Sequence, residues 1–484
     1  AYKYDQLNRI RTSRSNRNID MVNNVWTAAA GDATYDEDYH YDANGNIYTL
    51  NRKGNLTGAP QQMDDFKYQY ETSQAGVYWS PNPSDANYMG TLINTSGNIT
   101  FTNKLSHVDE SVTLSLNYNE DIDNMASGNY QYDKIGNLIK DPSEEIDNID
   151  WTVYGKIKRV TRAVPSTKSD LEFVYDAMGN RIEKIEKPRT ITGVETQDKW
   201  IYTYYERDAQ GNVMAIYKRT FASTGGNNFT DSYDLTEKDI YGSTRIGLYD
   251  DEGRNVSVRG FTATLSGGMF TNIVYAISPP PPGPVCLSGI PCPVRNSRTL
   301  GYKRYEESNH LGNVLVVLTD KKLCVDLIAD NFADYYTPDV ISTSDYYPFG
   351  SLMPGRSYNS NTARYLFNGK ESDGEIYSSD GTSYDYGFRI YNPRLGKFLS
   401  VDPLTKSYPE LTPYQFAGNM PIVAIDLDGL EEYVVTNYYD KKGKVAETAI
   451  SILTDRKTGS RINQQLKKDD GTYVATQNVL VRNV

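Results

Sequence analysis

The sequence predicts an all-β protein of antiparallel hairpins joined into a wall about one sheet thick. Three observations lead there. Hydrophobic residues make up only 38% of the 484 residues, even with the 41 tyrosines counted. That is lean for a thick core and far too aromatic for disorder; tyrosine suits a strand that packs its ring and leaves its hydroxyl at water. The pattern aromatic-x-Tyr-Asp-x-x-Gly-Asn recurs as YHYDANGN (Tyr39 to Asn46), YQYDKIGN (Tyr130 to Asn137) and FVYDAMGN (Phe173 to Asn180). No stretch keeps apolar residues at helical spacing over three turns, whereas strand alternation recurs in VLVVLTD, YVVTNYY and WTVYGKIKRV.

Taken in order, each element has a local reason. YKYDQLNR opens the chain with Asn8 where the motif has glycine, and asparagine also tolerates left-handed backbone. In each full copy, aromatics two apart share a strand face, the aspartate bonds its own turn, and the glycine three later accepts positive φ. DAQGN (Asp208 to Asn212), DDEGR (Asp250 to Arg254), NHLGN (Asn309 to Asn313) and DKKGK (Asp440 to Lys444) keep the interval and predict further hairpins. Copies come at irregular spacing, so a strict solenoid is not expected; one long curling sheet is. The proline-rich run at 278–294 cannot join a sheet interior and reads as a loop or insertion.

Composition also excludes. A net charge of −12 disfavours nucleic acid and anionic lipid as generic partners. No apolar run is long enough to span a membrane as a helix. Cys286, Cys292 and Cys324 are too few for a disulfide scaffold, and His40, His107 and His310 lack metal-ligand spacing. Neither metal nor cofactor is expected. The opening AYKYDQLNRI reads as mid-domain sequence, so a fragment of a longer protein is expected.

The Tyr-Asp hairpins resemble the YD repeats of Rhs proteins, toxin-complex shells and teneurins. Toward the end YLFNGKESD (Tyr365 to Asp373) and YDYGFRIYNPRLGKFLSVDPL (Tyr384 to Leu404) resemble the RHS-associated core, with its R-x-Y-x-P-x-x-G-x-F run followed by D-P. The resemblance implies hairpins spiralling into a hollow shell, here partial, over residues 1–360. A core segment over 361–430 closes it, and a variable C-terminal segment follows over 431–484.

It also gives meaning to VAIDLDGLEEYVV, Val423 to Val435. Family members with a cleavable core cut themselves after the leucine of D-P-x-G-L, using that aspartate and one from the upstream D-P. By position these are Asp426 and Asp402, with Asp428 the spare carboxylate, and the cut falls between Leu430 and Glu431. Such chemistry asks for two carboxylates, one held protonated as acid while the other activates water. Arg394 and Lys397 lie near in sequence as supporting cations. This chain carries Leu427 where the family has proline. Asp402-Pro403 and Asp428-Gly429 also read as plain turns, and a calcium loop is disfavoured because the terminal glutamate is missing.

The implied function is a secreted or bacterial-surface shell that encloses and delivers its own C-terminal, toxin-like segment. Implied partners are that segment, secretion machinery or a shell-closing N-terminal part, and an immunity protein. The alternative is an adhesin that binds glycans or proteins through a tyrosine-rich face. A glycosidase built on paired carboxylates ranks third, since no pair stands out.

Overall fold

The computed structural model describes residues 1–15, 19–20, 25–26, 34–55, 62–73, 78–79, 101–112, 118, 122–242, 244–276, 300–327, 332–358, 363–377, 379–406, 411–430, 432–439 and 445–452. The proline-rich run 278–294 with Cys286 and Cys292, Glu431, and residues 453–484 lie outside them.

The chain is all-β, and every strand pair is antiparallel. Two large sheets dominate. The first runs Tyr2–Tyr4, Ile10–Ser13, Glu37–Tyr41, Ile47–Lys53, Gln62–Thr72, with Tyr78–Trp79 and Phe101–Glu110 both paired to Gln62–Thr72. The second is a twelve-stranded meander from Ile146–Trp151 to Tyr335–Thr343, in which almost every strand lies beside its neighbour in sequence.

The motif's turns form as their residues dictate. At Asp42 the backbone carbonyl accepts the Gly45 N–H at 3.2 Å, and Asn46 donates its backbone N–H to Oδ1 at 2.7 Å and its side-chain Nδ2 to Oδ2 at 2.8 Å. The same closed ring recurs at Asp133, Asp176 and Asp208. The final asparagine is thus a clamp on the aspartate, a role the sequence reading left unassigned. Gly45 has φ +95°, a conformation in which any side chain would be strained.

Three expectations need correcting. DDEGR is no hairpin: Arg245–Ser266 is one continuous strand, and the extra residues form a bulge where Leu235 pairs with Arg254 and Glu237 with Asp250. The partner strand Asn228–Tyr241 pairs on both sides of the motif, so the ladder overrides the turn signal. WTVYGKIKRV is not one strand, because Thr152 N bonds Lys156 O at 2.8 Å and a turn splits it into Ile146–Trp151 and Ile157–Arg162. The wall is also not a single sheet. Between the two large sheets stands the hairpin Gln131–Tyr132/Leu138–Lys140, and Leu138 donates its N–H to Leu399 O in the later segment rather than to the wall.

That later segment, from Tyr347 to Ala424, packs against both sheets. One continuous apolar cluster joins Tyr39, Leu50 and Phe66 of the first sheet and Ile149, Val160 and Phe173 of the second to Phe349, Phe367, Tyr391, Phe398 and Phe416. Tyr391 and Phe416 stack with centroids 4.4 Å apart. The repeat aromatics Tyr39, Tyr41, Tyr130 and Phe173 are buried in this cluster. Burying rings of this size supplies a large share of the apolar stabilisation.

The seam between wall and segment is ionic as well. Arg181 donates to Asp373 at 2.8 and 2.6 Å and reaches Asp385 at 2.9 Å. Lys184 meets Glu375 at 2.6 Å, and Arg364 grips Glu237 at 2.8 and 2.7 Å. Within the first sheet Arg52, 1% exposed, lies between Glu37 at 2.9 Å and Asp64 at 2.7 Å. Its other nitrogen donates to Arg394 O at 3.4 Å, so this ion cluster also touches the segment.

Candidate functional site

The tight corner Tyr386–Arg389, closed by Tyr386 N to Arg389 O at 3.0 Å, leads into the short strand Ile390–Asn392. Asp402 is held from both sides: its N–H donates to Pro413 O at 3.0 Å and its Oδ1 accepts Leu404 N at 2.7 Å. Thr405 N returns to Asp402 O at 3.1 Å, so Asp402-Pro403 is indeed a turn. Asp426 ends the strand Ala424–Asp426, whose partner is Glu432–Tyr439, with Asp426 opposite Glu432. The stretch 427–430 therefore lies in the loop of a hairpin.

Folding brings the two predicted aspartates to one guanidinium. Arg389 Nη2 lies 3.0 Å from Asp402 Oδ2 and 3.4 Å from Asp426 Oδ2. The two oxygens stand no further apart than those distances laid end to end. The pair thus shares one cation. Arg389 also donates through Nε to Gly429 O and through Nη1 to Pro413 O at 3.3 Å, and its guanidinium packs 3.7 Å from the centroid of the Phe398 ring.

Electrostatics separate the two acids. Burial pushes the Asp426 carboxyl up to about 6, against the pull of Arg389 and of the Gly429 N–H. Burial also raises Asp402, again opposed by Arg389. Asp402 is the more open of the two, at 18% against 3% exposed. Asp426, the more buried, is the one better held protonated, and Asp402, the more open, ionises more readily.

The loop itself is gripped atom by atom. The carbonyls of Leu427, Asp428 and Gly429 accept from Lys370 Nζ, from Phe388 N at 2.8 Å and from Arg389 Nε. The amides of Asp428 and Gly429 donate to Asp426 Oδ1 at 3.3 and 2.6 Å, and that of Leu430 to Asp428 Oδ1 at 3.1 Å. Gly429 has φ +90°, and a Cβ there would stand 2.9 Å from Arg389 N. Only glycine fits. Leu427 is exposed at this corner, and side-chain and backbone donors fix the turn that a proline ring would otherwise stiffen.

The other sequence candidates go elsewhere. Arg394 pairs with Glu144 at 2.7 Å and packs on Tyr377, while Lys397 places its ammonium 5.0 Å from the Tyr70 ring. Asp426 Oδ1 and Asp428 Oδ1 both accept backbone amides of the loop. Among the described residues no cluster of His, Cys, Asp and Glu is arranged to hold a metal, and no helix is long and apolar enough to cross a membrane. Arg389 and Lys370 are the residues the sequence reading missed. Both lie inside the stretches quoted for the core, Arg389 as the first letter of R-x-Y-x-P.

No family model matches the chain. It is 26% identical to salivary gland surface protein 1 of Aedes aegypti over 304 residues, 62% of this chain and 6% of that protein. It is 36% identical to toxin subunit YenC1 of Yersinia entomophaga over 97 residues, and 38% identical to toxin subunit YenC2 over 94, each 19% of this chain and 9% of the subunit. The chain thus spans less than a tenth of the length of these curated relatives. Among solved structures, it aligns with the Photorhabdus luminescens Tc holotoxin pore at a TM-score of 0.37 and 15% identity, covering 93% of this chain and 17% of that one. It aligns with TcdB2-TccC3-TEV at 0.36 and 14%, covering 89% and 17%.

Proposed function

We propose that this chain is part of a toxin-complex-type β-shell whose core segment closes one end and frees the C-terminal segment by an aspartate-dependent cut after Leu430. One observation carries the reading: Arg389 ties Asp402 and Asp426 together while holding the carbonyl of Gly429, one residue before the bond in question. The stretches similar to toxin subunits YenC1 and YenC2 add support.

In this reading ionised Asp402 takes a proton from a water whose oxygen attacks the Leu430 carbonyl carbon. Asp426 gives its proton to the departing nitrogen of Glu431. The C–N bond breaks, leaving a carboxyl on Leu430 and an amine on Glu431, with no cofactor consumed. Arg389 keeps the two acids apart in charge and stabilises the base. The shell acts outside the producing bacterium or at its surface, with the released segment as cargo; secretion machinery, a shell-closing part and an immunity protein are its expected partners.

Intact mass of the purified chain tests this. A break between Leu430 and Glu431 is expected, absent in Asp402→Asn and in Asp426→Asn. An unbroken parent overturns the self-cut and leaves a hairpin loop, the reading favoured by the pairing of Asp426 with Glu432 across the bond. The adhesin reading has less to stand on, because the repeat aromatics are buried in the apolar cluster.

A further inference from the structure

We propose that Lys370 is a positioning residue of the self-cut: its ammonium pins the Leu427 carbonyl and faces Asp426, so that the turn and its acid are set together. The proposal rests on the self-cut reading and adds to it a residue outside the Asp402–Arg389–Asp426 bridge.

Of the three donors that hold the carbonyls of residues 427–429, Phe388 N and Arg389 Nε belong to one corner. Lys370 comes from a different part of the segment, next to the turn Phe367–Gly369. Its own place is fixed: the ammonium stands 5.1 Å from the centroid of the Tyr386 ring, and the Tyr386 hydroxyl donates to Asn368 Oδ1 at 2.8 Å. Three carboxylates face it, those of Asp426, Asp385 and Asp428, and Asp385 is already bound by Arg181 at 2.9 Å. Asp426 in turn is faced by Arg389, Lys370 and Asp428 and by the N–H groups of Asp428 and Gly429. A lysine at this point can use one proton on the Leu427 carbonyl and still act on the acid. Removing it leaves Asp426 with one cation instead of two, which favours the protonated form. The Leu427 carbonyl, three residues before Leu430, is also set loose, and small misplacements of a reacting bond are costly.

The experiment is a time course of intact mass for the full chain, Lys370→Met and Lys370→Arg from pH 5 to 9. Lys370→Met is expected to cut about tenfold or more slowly, with the alkaline limb of the rate profile moved up by about one pH unit. Lys370→Arg is expected to recover the limb and part of the rate. A uniform loss at every pH with an unmoved limb overturns the proposal, and so does an unchanged rate.

A second measurement does not depend on cutting. In the Asp402→Asn background, the carboxyl carbon of Asp426 is titrated by NMR with and without Lys370→Met. An upward shift of its midpoint establishes that Lys370 acts on Asp426 even if the parent chain proves uncut, in which case the self-cut reading falls and takes the positioning role with it. An unmoved midpoint sinks the Lys370 assignment whether or not the parent is cut.

Discussion

Arg52 and Arg389 each contact two carboxylates, and they differ in what else they touch. Arg52, with Glu37 and Asp64, is sealed: the three side chains are 1%, 0% and 1% exposed, and the guanidinium packs 4.9 Å from the Tyr347 ring. Arg389, with Asp402 and Asp426, keeps one carboxylate partly open and spends its Nε on the Gly429 carbonyl in a hairpin loop. The first trio holds the wall to the segment that packs against it. The second joins the Gly429 carbonyl to two acids through one guanidinium. The same three groups therefore act as a fastener where water is excluded and as a candidate reaction centre where one side opens to a loop.

The largest expected effect belongs to the sealed trio. Arg52→Leu leaves Glu37 and Asp64 buried without their cation and is expected to cost roughly 3–5 kcal/mol, read as a lowered urea midpoint. Gly429→Ala comes next. Its left-handed backbone and the close Arg389 amide predict a loss of about 1–3 kcal/mol together with loss of the cut, checked by thermal melting and intact mass.

The pH dependence of stability distinguishes the trios further. Burial raises Glu37 to about 7 and Asp426 to about 6, so the folded chain binds protons that the unfolded chain has released. Each contribution is full below the ordinary carboxylate range and is lost as pH rises through the folded value. Glu37→Gln should flatten the upper part of that fall, between about 6 and 7, where one proton accounts for at most about 1.4 kcal/mol per pH unit. A slope unchanged by Glu37→Gln would mean that the sealed trio does not take up the proton. The smallest effect is expected for Asp402→Asn, which removes a carboxylate that is partly solvated and should change the urea midpoint by less than about 1 kcal/mol, while abolishing the cut. A large loss of stability there would make the open trio a fastener like the other.

What the sequence made legible follows from how far each interaction reaches. The turns at Asp42, Asp133, Asp176 and Asp208 are closed within five residues, so residue types alone predict them. DDEGR has the same local signal, yet the strand pairing on both sides of it belongs to Asn228–Tyr241, which the motif cannot see. Asp402 and Asp426 could be placed by resemblance, but not their meeting on Arg389, which lies 37 residues from Asp426. Arg394 and Lys397 looked nearer and were not. In the strand Lys397–Phe398 neighbours point to opposite faces, so Phe398 packs on Arg389 while Lys397 turns to Tyr70. The salt bridge from Arg181 to Asp373 spans 192 residues and leaves no trace in local pattern.

The order of the chain sets a timing problem for synthesis. Meander strands find their partners as soon as they emerge, since each pairs mainly with the one before it. Their aromatic inner face, however, is covered by residues made later, the stretch from Tyr347 to Ala424. At ordinary translation speed of about 5–20 residues per second, the strands around Ile149 wait on the order of ten seconds or more with that face bare. A nascent wall of this kind is a natural client for chaperones, and truncation ahead of Tyr347 should yield an aggregating product rather than a smaller folded one.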